Sequence, residues 1–453
     1  MTKRFFVFVF VFTQLFGFTA VYAVATVTKS NARTFTVTGP HCGLYSRLKN
    51  QMLCSSKNPL LFEVARIVRD DLNFTDQFDV DLKKKEHRLT AINLKELFKQ
   101  GVSLVTAFGF VEKNKKRGTR VHVRIRDTSS NHVVFDKTVT IERKNLVAQG
   151  HNLSGDILQK LTGDRGICST SVVYCKMVSS HHKIICLADY ACKRECVVVP
   201  AKTINLAPSW HTKVPVLFYS QLTKSNNRLM SVDLRTGRHS VICSYSGLNM
   251  QPAFSGDGKT AAICLSGGRG NSELYLYDPR MCKEAKKRVF KPLTHNGAHN
   301  VSPCMLANGD IVFCSDYETG LPQIYYLNRK TGGTRRLTGG NGYCAAPSYC
   351  PKTNMLVYTR PVKGVFQLFA LSLDNLDVLD ERRITSCPGN KHEPSWSECG
   401  RYIAFSIDQV GKKKKSSQQI AALNYKSGNI RILTRTPEPK SFPRWTGQQL
   451  WPL

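Results

Sequence analysis

A proline just ahead of an apolar or aromatic residue recurs six times. It stands as Ala-Pro-Ser-Trp at 207–210, Gln-Pro-Ala-Phe at 251–254, Ser-Pro-Cys-Met at 302–305, Ala-Pro-Ser-Tyr at 346–349, Glu-Pro-Ser-Trp at 393–396 and Phe-Pro-Arg-Trp at 442–445. Successive prolines are 44, 51, 44, 47 and 49 residues apart, within the range of four-stranded propeller blades. Each unit runs on through a turn to a second apolar strand (261–264, 311–314, 355–358, 402–405) and a third (273–278, 323–327, 367–371, 419–423). A Thr-Gly or Ser-Gly turn often follows, and then an outer strand ending in Leu-Thr or Ile-Thr. Short strands separated by turn residues imply an all-β repeat.

The GDGKT stretch at 256–260 invites another reading, as the end of a phosphate-binding loop. That loop needs a glycine five residues before Gly258, where this chain has Ala253, and it must open a helix. The residues after Lys259 are instead a short apolar run ending in glycines, so 256–259 is expected to be a turn with its lysine in solvent.

The ends of the repeat complement each other. The last proline strand, 441–445, has almost no chain after it, whereas 172–174, 183–187 and 196–199 are three strands with no proline strand ahead of them. The expected architecture is a six-bladed β-propeller over 164–453, its final blade closed by the C-terminal strand so that only short, protected sheet edges remain.

The chain before the repeat is patterned differently. Asn58-Pro59 suits the cap and first turn of a helix whose Leu60, Val64, Ile67, Val68 and Leu72 recur at helical spacing. A second helix is expected over 93–100, strands over 102–111, 119–126 and 132–141, and a third helix over 146–161 stopped at Thr162-Gly163. Residues 26–163 therefore read as an α+β domain of ordinary size. Ahead of it, Lys3-Arg4 precede an apolar run at 5–18, and Ala20, Ala23 and Ala25 offer A-x-A-like cleavage positions. Residues 1–25 read as a secretory signal cut near Ala23 or Ala25, being short for a membrane span and interrupted by Gln14 and Gly17.

With the six proline units, the α+β domain and the signal sequence in view, the chain resembles the TolB family, periplasmic components of bacterial Tol-Pal systems. HNLSGDILQKLTGDRG at 151–166 is similar to that family's interdomain helix and Lys-Leu-Thr-Gly junction, and KSFPRWTGQQLWPL at 440–453 to its closing strand. The resemblance implies a non-enzymatic protein without cofactors that supports outer-membrane constriction during cell division and outer-membrane integrity. It implies a Pal-like peptidoglycan-associated lipoprotein bound at one propeller mouth and a TolA-like protein bound by the mature N-terminus, although 26–50 contains no matching TolA-binding stretch. Residues bordering the proline strands ring the mouth in such proteins, which makes Asn249, Gln251, His299, Asn300, Ser302, His392 and Glu393 the candidate partner-binding residues here.

Charge supports a rival. Against 32 Asp and Glu stand 65 Lys and Arg, a formal net charge of +33, with basic runs at 83–85, 115–117 and 412–415. Such a field attracts polyanions, in an exported protein lipopolysaccharide or other anionic envelope surfaces before nucleic acid, for which the chain has no recognition motif. Solvated loop tips are the plainer account of each run. The sixteen cysteines permit disulfides in an oxidising compartment, with Cys192 to Cys196 one candidate pair and buried free thiols the alternative. Cys186, Cys192 and Cys196 with His181 and His182 lack the paired C-x-x-C spacing of zinc sites. A propeller attached to a prolyl-peptidase-type hydrolase is the enzyme-class alternative. The sequence shows neither G-x-S-x-G nor H-E-x-x-H, and a monomeric binding protein is expected.

Overall fold

The computed structural model describes residues 48–447 except 56–58, 86–92, 115–117, 201–202, 225, 279–289, 341 and 411–415. The signal segment 1–25, the basic runs at 115–117 and 412–415 and the side chain of Gln251 lie outside the described residues.

The N-terminal part is a layer of helices on one five-stranded sheet. In chain order its elements are β1 (Leu48–Ser55), α1 (Pro59–Phe74), β2 (Phe78–Lys85), α2 (Leu94–Lys99), β3 (Leu104–Asn114), β4 (Gly118–Asp127), β5 (Val133–Ile141) and α3 (Leu146–Thr162). The strand order is β2-β1-β3-β4-β5, with β1 parallel to both neighbours and the remaining pairs antiparallel. Helix α1 buries Val64, Ile67, Val68 and Leu72 of the stripe that its spacing predicts, with Leu61 and Ala65 beside them and Leu60 only half-buried against the same core. Helix α3 ends where Gly163 takes φ 77° and its N–H returns to the carbonyl of Gln159. The two helices meet at Gly150, where an added Cβ would lie 2.9 Å from Ile67 Cγ2. Asn93 caps α2 with its side chain, accepting from the N–H of Glu96 at 3.3 Å.

Beyond residue 170 the described elements are all strands, almost entirely antiparallel in their pairing. Four sheets have four strands each in sequence order, and their first strands are Asn249–Phe254, Ala345–Cys350, Asn300–Met305 and Lys391–Trp396. An eight-stranded sheet contains the rest. In it Ile204–Trp210, Val216–Leu222, Asn227–Asp233 and His239–Cys243 pair in order, and Lys440–Trp445 pairs with Ser171–Ser179, which continues through His182–Asp189 to Glu195–Val199. The two sets are joined by one parallel pair, Lys183 with Ile204. The C-terminal strand sets Arg444 opposite Val173 and Trp445 opposite Val172.

The repeated proline has one structural job. In each of the six strands that carry it, the proline and the residue before it stand opposite a single residue of the next strand, a β-bulge. The single residues are Tyr219, Ile263, Phe313, Tyr358, Phe405 and Tyr174. Proline has no N–H to give a ladder, so within a sheet it belongs at an edge or a bulge. The residue ahead of it adopts a left-handed backbone: Ala207 (φ 48°), Ser302 (53°), Ala346 (54°), Glu393 (53°) and Phe442 (54°). The GDGKT stretch is the expected turn: Gly258, at φ 72°, donates to the carbonyl of Ser255 at 2.8 Å, and Lys259 is exposed.

The two parts share a core. Phe74 at the end of α1 packs edge-on against Tyr190 with centroids 4.9 Å apart, and Arg431 lies over its ring at 4.8 Å. Asp76 accepts from Asn424 (3.1 Å), Ser427 (3.1 Å) and Arg431, while Lys352 reaches Asp164 at 2.9 Å. Every one of these partners sits where the proline-bearing strands end or beyond, so the N-terminal domain docks on that face of the sheets.

Candidate partner face and central cavity

The opposite face, where the proline-bearing strands begin, is organised by buried polar side chains. Each loop arriving from an outer strand leaves backbone carbonyls without a ladder partner, and buried carbonyls left so are costly. Asn249 answers them: its Nδ2 donates to the carbonyls of Asn227 (2.8 Å), Tyr245 (2.7 Å) and Gly247 (3.1 Å), and its Oδ1 accepts from the Tyr245 N–H. Asn300 donates to Glu273 and to Asn296, both at 2.7 Å. At the corresponding places Lys391 donates to the carbonyls of Gly389 (2.7 Å), Pro388 and Cys387, and Lys440 to Thr436 and to the carbonyl of Glu438. Burial pulls both lysine pKa values below the usual range.

This corrects the sequence expectation for two residues. Asn249 and Asn300 are 0% exposed, so neither side chain reaches a partner from outside. The remaining candidates are more open. His299 is exposed, with its N–H donating to Asp316 at 2.8 Å. His392 is half-buried, its ring 5.3 Å from that of Phe366 and its Nε2 3.7 Å from Asp408. Ser302 and Glu393 occupy the left-handed position of their bulges. The Glu393 carboxylate accepts from the Phe442 N–H (2.7 Å) and the Ser406 hydroxyl (2.8 Å), tying one proline strand to the next.

Sequence reasoning missed the aromatic part of this face. Tyr317 (53% exposed) and Leu321 (46%) lie on the connection between Ile311–Ser315 and Gln323–Leu327, beside the start of Asn300–Met305. Tyr343 (37%) sits just ahead of Ala345–Cys350, its ring 5.5 Å from Phe366. A tyrosine inside the turn Asp-Tyr-Glu-Thr-Gly at 316–320 was the available signal.

Between the proline strands lies a cavity of about 250 Å³ lined by Pro208, Pro303 and Pro347 on its apolar side, with Ser209, Trp210 and Arg444 among its polar groups. Burial lowers the Arg444 pKa, opposed by the nearby Glu393.

A separate buried cluster marks the other face. Asp71 accepts from Tyr190 and lies 2.8 Å from His151 Nδ1, and burial together with Asp71 pushes the Tyr190 and Cys168 pKa values well up. The thirteen cysteines whose side chains are described are all free thiols, which overturns the Cys192 to Cys196 bridge. The reason is the turn between them: Cys192, at φ 52° after His182–Asp189, packs with the core under the N-terminal domain, whereas Cys196 on Glu195–Val199 packs with a different core. Burial raises both thiol pKa values. Among the described residues no three His, Cys, Asp or Glu side chains are grouped to hold a metal ion.

The model of the TolB beta propeller domain matches residues 158–379. A Tol-Pal system protein TolB of Francisella tularensis subsp. mediasiatica is 29% identical over 335 residues, 70% of this chain and 74% of that protein. The chain carries a TolB beta propeller domain and is similar to TolB proteins over about seven tenths of its length. A TolB protein of Rickettsia canadensis is 26% identical over 219 residues, 47% of this chain and 49% of its own. The crystal structure of TolB from Acinetobacter baumannii superposes with a TM-score of 0.76 over 89% of this chain and 97% of that one, at 20% identity, which carries the fold of the TolB chain, a propeller behind a small N-terminal α/β domain. No helix among the described residues is long and apolar enough to cross a membrane.

Proposed function

We propose that this protein is the TolB component of a Tol-Pal system, a non-enzymatic, exported binding protein that supports outer-membrane invagination during division and outer-membrane integrity. Its relatives bear the name of that system over about seven tenths of the chain. In this reading residues 1–25 are removed on export, 26–163 form the N-terminal domain, and 164–453 form six blades. The eight-stranded sheet counts as two blades, and Lys440–Trp445 supplies the inner strand of the blade begun by Ser171–Ser179.

The observation that carries the partner assignment is the exposed apolar rim of Tyr317, Leu321 and Tyr343 on the face turned away from the N-terminal domain. Tyrosines with a polar surround are the usual anchors of protein interfaces. A Pal-like lipoprotein docks there, with His299, Ser302, His392 and Glu393 as the polar surround, and a TolA-like protein binds the mature N-terminus. The experiment is titration of purified mature chain with a purified Pal-like domain. Tyr317→Ala and Tyr343→Ala should each weaken binding about tenfold or more, as interface tyrosines do, while Val197→Ala, exposed elsewhere, should not. Equal affinity in all three variants, or retention of polyanion alone with a steep salt dependence, would overturn the assignment.

A further inference from the structure

We propose that the central cavity is the seat of the chain's own tail, residues 448–453 (Gln-Gln-Leu-Trp-Pro-Leu), with the Trp451 ring inside it. The tail lies outside the described residues, but the point from which it starts is fixed. The last proline strand continues as Thr446, whose N–H donates to the Ser171 carbonyl at 2.9 Å. Gly447 follows on the cavity lining itself, packed so closely against the Glu398 carboxylate that no Cβ would fit between them. Only glycine is accommodated there, and the chain leaves the sheet at the edge of the cavity.

The cavity opens on that side. His211, Thr212, Val214, Glu398, Thr446 and Gly447 are its lining residues outside strands, and each comes just after the end of a proline-bearing strand. Among the described residues none from the N-terminal domain contributes to the lining. Deeper in, Pro208, Pro252, Pro303 and Pro347 form apolar walls. An apolar cavity of about 150 Å³ accepts a benzene ring, so about 250 Å³ has room for an indole, whose flat face suits proline. Four of the six tail residues are Leu, Trp, Pro and Leu and none carries a charged side chain, so their surface gains by leaving water. Trp451 is four residues beyond Gly447, a reach of up to about 14 Å, enough for the chain to turn back at the glycine. The seat lies on the face away from the rim of Tyr317, Leu321 and Tyr343 and is independent of the partner bound there.

The reporter is Cys304, a half-buried thiol on the cavity lining. Its alkylation by N-ethylmaleimide is followed by peptide mass spectrometry in the full chain, in Trp451→Ser and in a chain ending at Gly447. A cover in place about nine-tenths of the time slows a probe by about tenfold, so Cys304 should react about tenfold faster in both altered chains. Cys196, half-buried on Glu195–Val199 and away from the lining, should keep one rate throughout. Added peptide Gln-Gln-Leu-Trp-Pro-Leu should restore protection to the shortened chain, and the same peptide with serine in place of tryptophan should not. An unchanged Cys304 rate in Trp451→Ser, or a rise shared equally by Cys196, would overturn the proposal. If the shortened chain does not fold, Trp451→Ser decides alone.

Discussion

The hydroxyl of Tyr190 donates a 2.6 Å hydrogen bond to the carboxylate of Asp71, so a strand-end residue of the propeller and the last turns of α1 share one buried polar contact. The other carboxylate oxygen lies 2.8 Å from His151 Nδ1 on α3. One side chain therefore couples two helices of the N-terminal domain to the sheets. Asp71→Asn keeps the size, removes the charge and leaves a single acceptor oxygen, so either Tyr190 or His151 faces an amide NH2 instead of its carboxylate oxygen. It should cost about 2–4 kcal/mol, the range for disrupting a buried charged network. Denaturant unfolding followed separately by tryptophan fluorescence and far-UV dichroism should show the single transition of the wild type split in two.

Loop anchors and partner contacts make opposite predictions for the same face. Asn249→Ala and Lys391→Met each strip several carbonyls of their donor and should cost about 1–3 kcal/mol of stability. Affinity for a Pal-like domain, measured per folded molecule, should be unchanged. Weakened binding with unchanged stability would return Asn249 to the partner surface.

Strain at the bulges can be relieved. Ala346, at φ 54°, bears a left-handed conformation that costs an L-residue roughly 1–2 kcal/mol. Ala346→Gly removes that cost against a loss of about 0.5–1 kcal/mol for the freer unfolded chain, so the melting midpoint should hold or rise slightly. Ala346→Val should lower it, because a branched side chain tolerates this backbone poorly.

Acid should act through Glu195. Burial raises its pKa, but hydrogen bonds from Lys176 and Tyr174 outweigh burial and hold it below the ordinary 4.5. The folded protein therefore binds the Glu195 proton less readily than the unfolded chain does. Its stabilising share is complete above about pH 4.5 and is lost as pH falls through the lowered value. Glu195→Gln should flatten the acid limb of a stability-against-pH curve while lowering stability at neutral pH.

How far the sequence could be read depended on which property set each feature. The proline spacing located all six bulged strands because proline's missing N–H restricts it to such places in a sheet. The capping residues of α2 and α3 and the apolar stripe of α1 were legible for similar local reasons. Asn249 and Asn300 were not, because a polar residue at a loop boundary looks the same whether it faces solvent or a set of buried carbonyls. Cys192 and Cys196 are four residues apart, yet the left-handed turn at Cys192 sends their thiols into different cores. Tyr317 and Tyr343 are far apart in sequence, and their sharing of one face depends on how the sheets are arranged. Arg444 shows the same limit: only the fold turns a basic residue between Pro443 and Trp445 into a charge facing a cavity.

The strand Lys440–Trp445 completes a sheet begun by Ser171–Ser179, and the Ser171 N–H bonds to a residue 275 positions later. As the chain is made, the earlier strand emerges with its ladder edge empty and must stay so until the last strand has followed. Contacts this distant in sequence form slowly, and an unpaired strand edge recruits other chains. A chaperone that shields that edge would therefore govern yield more than any change in the stability of the finished molecule.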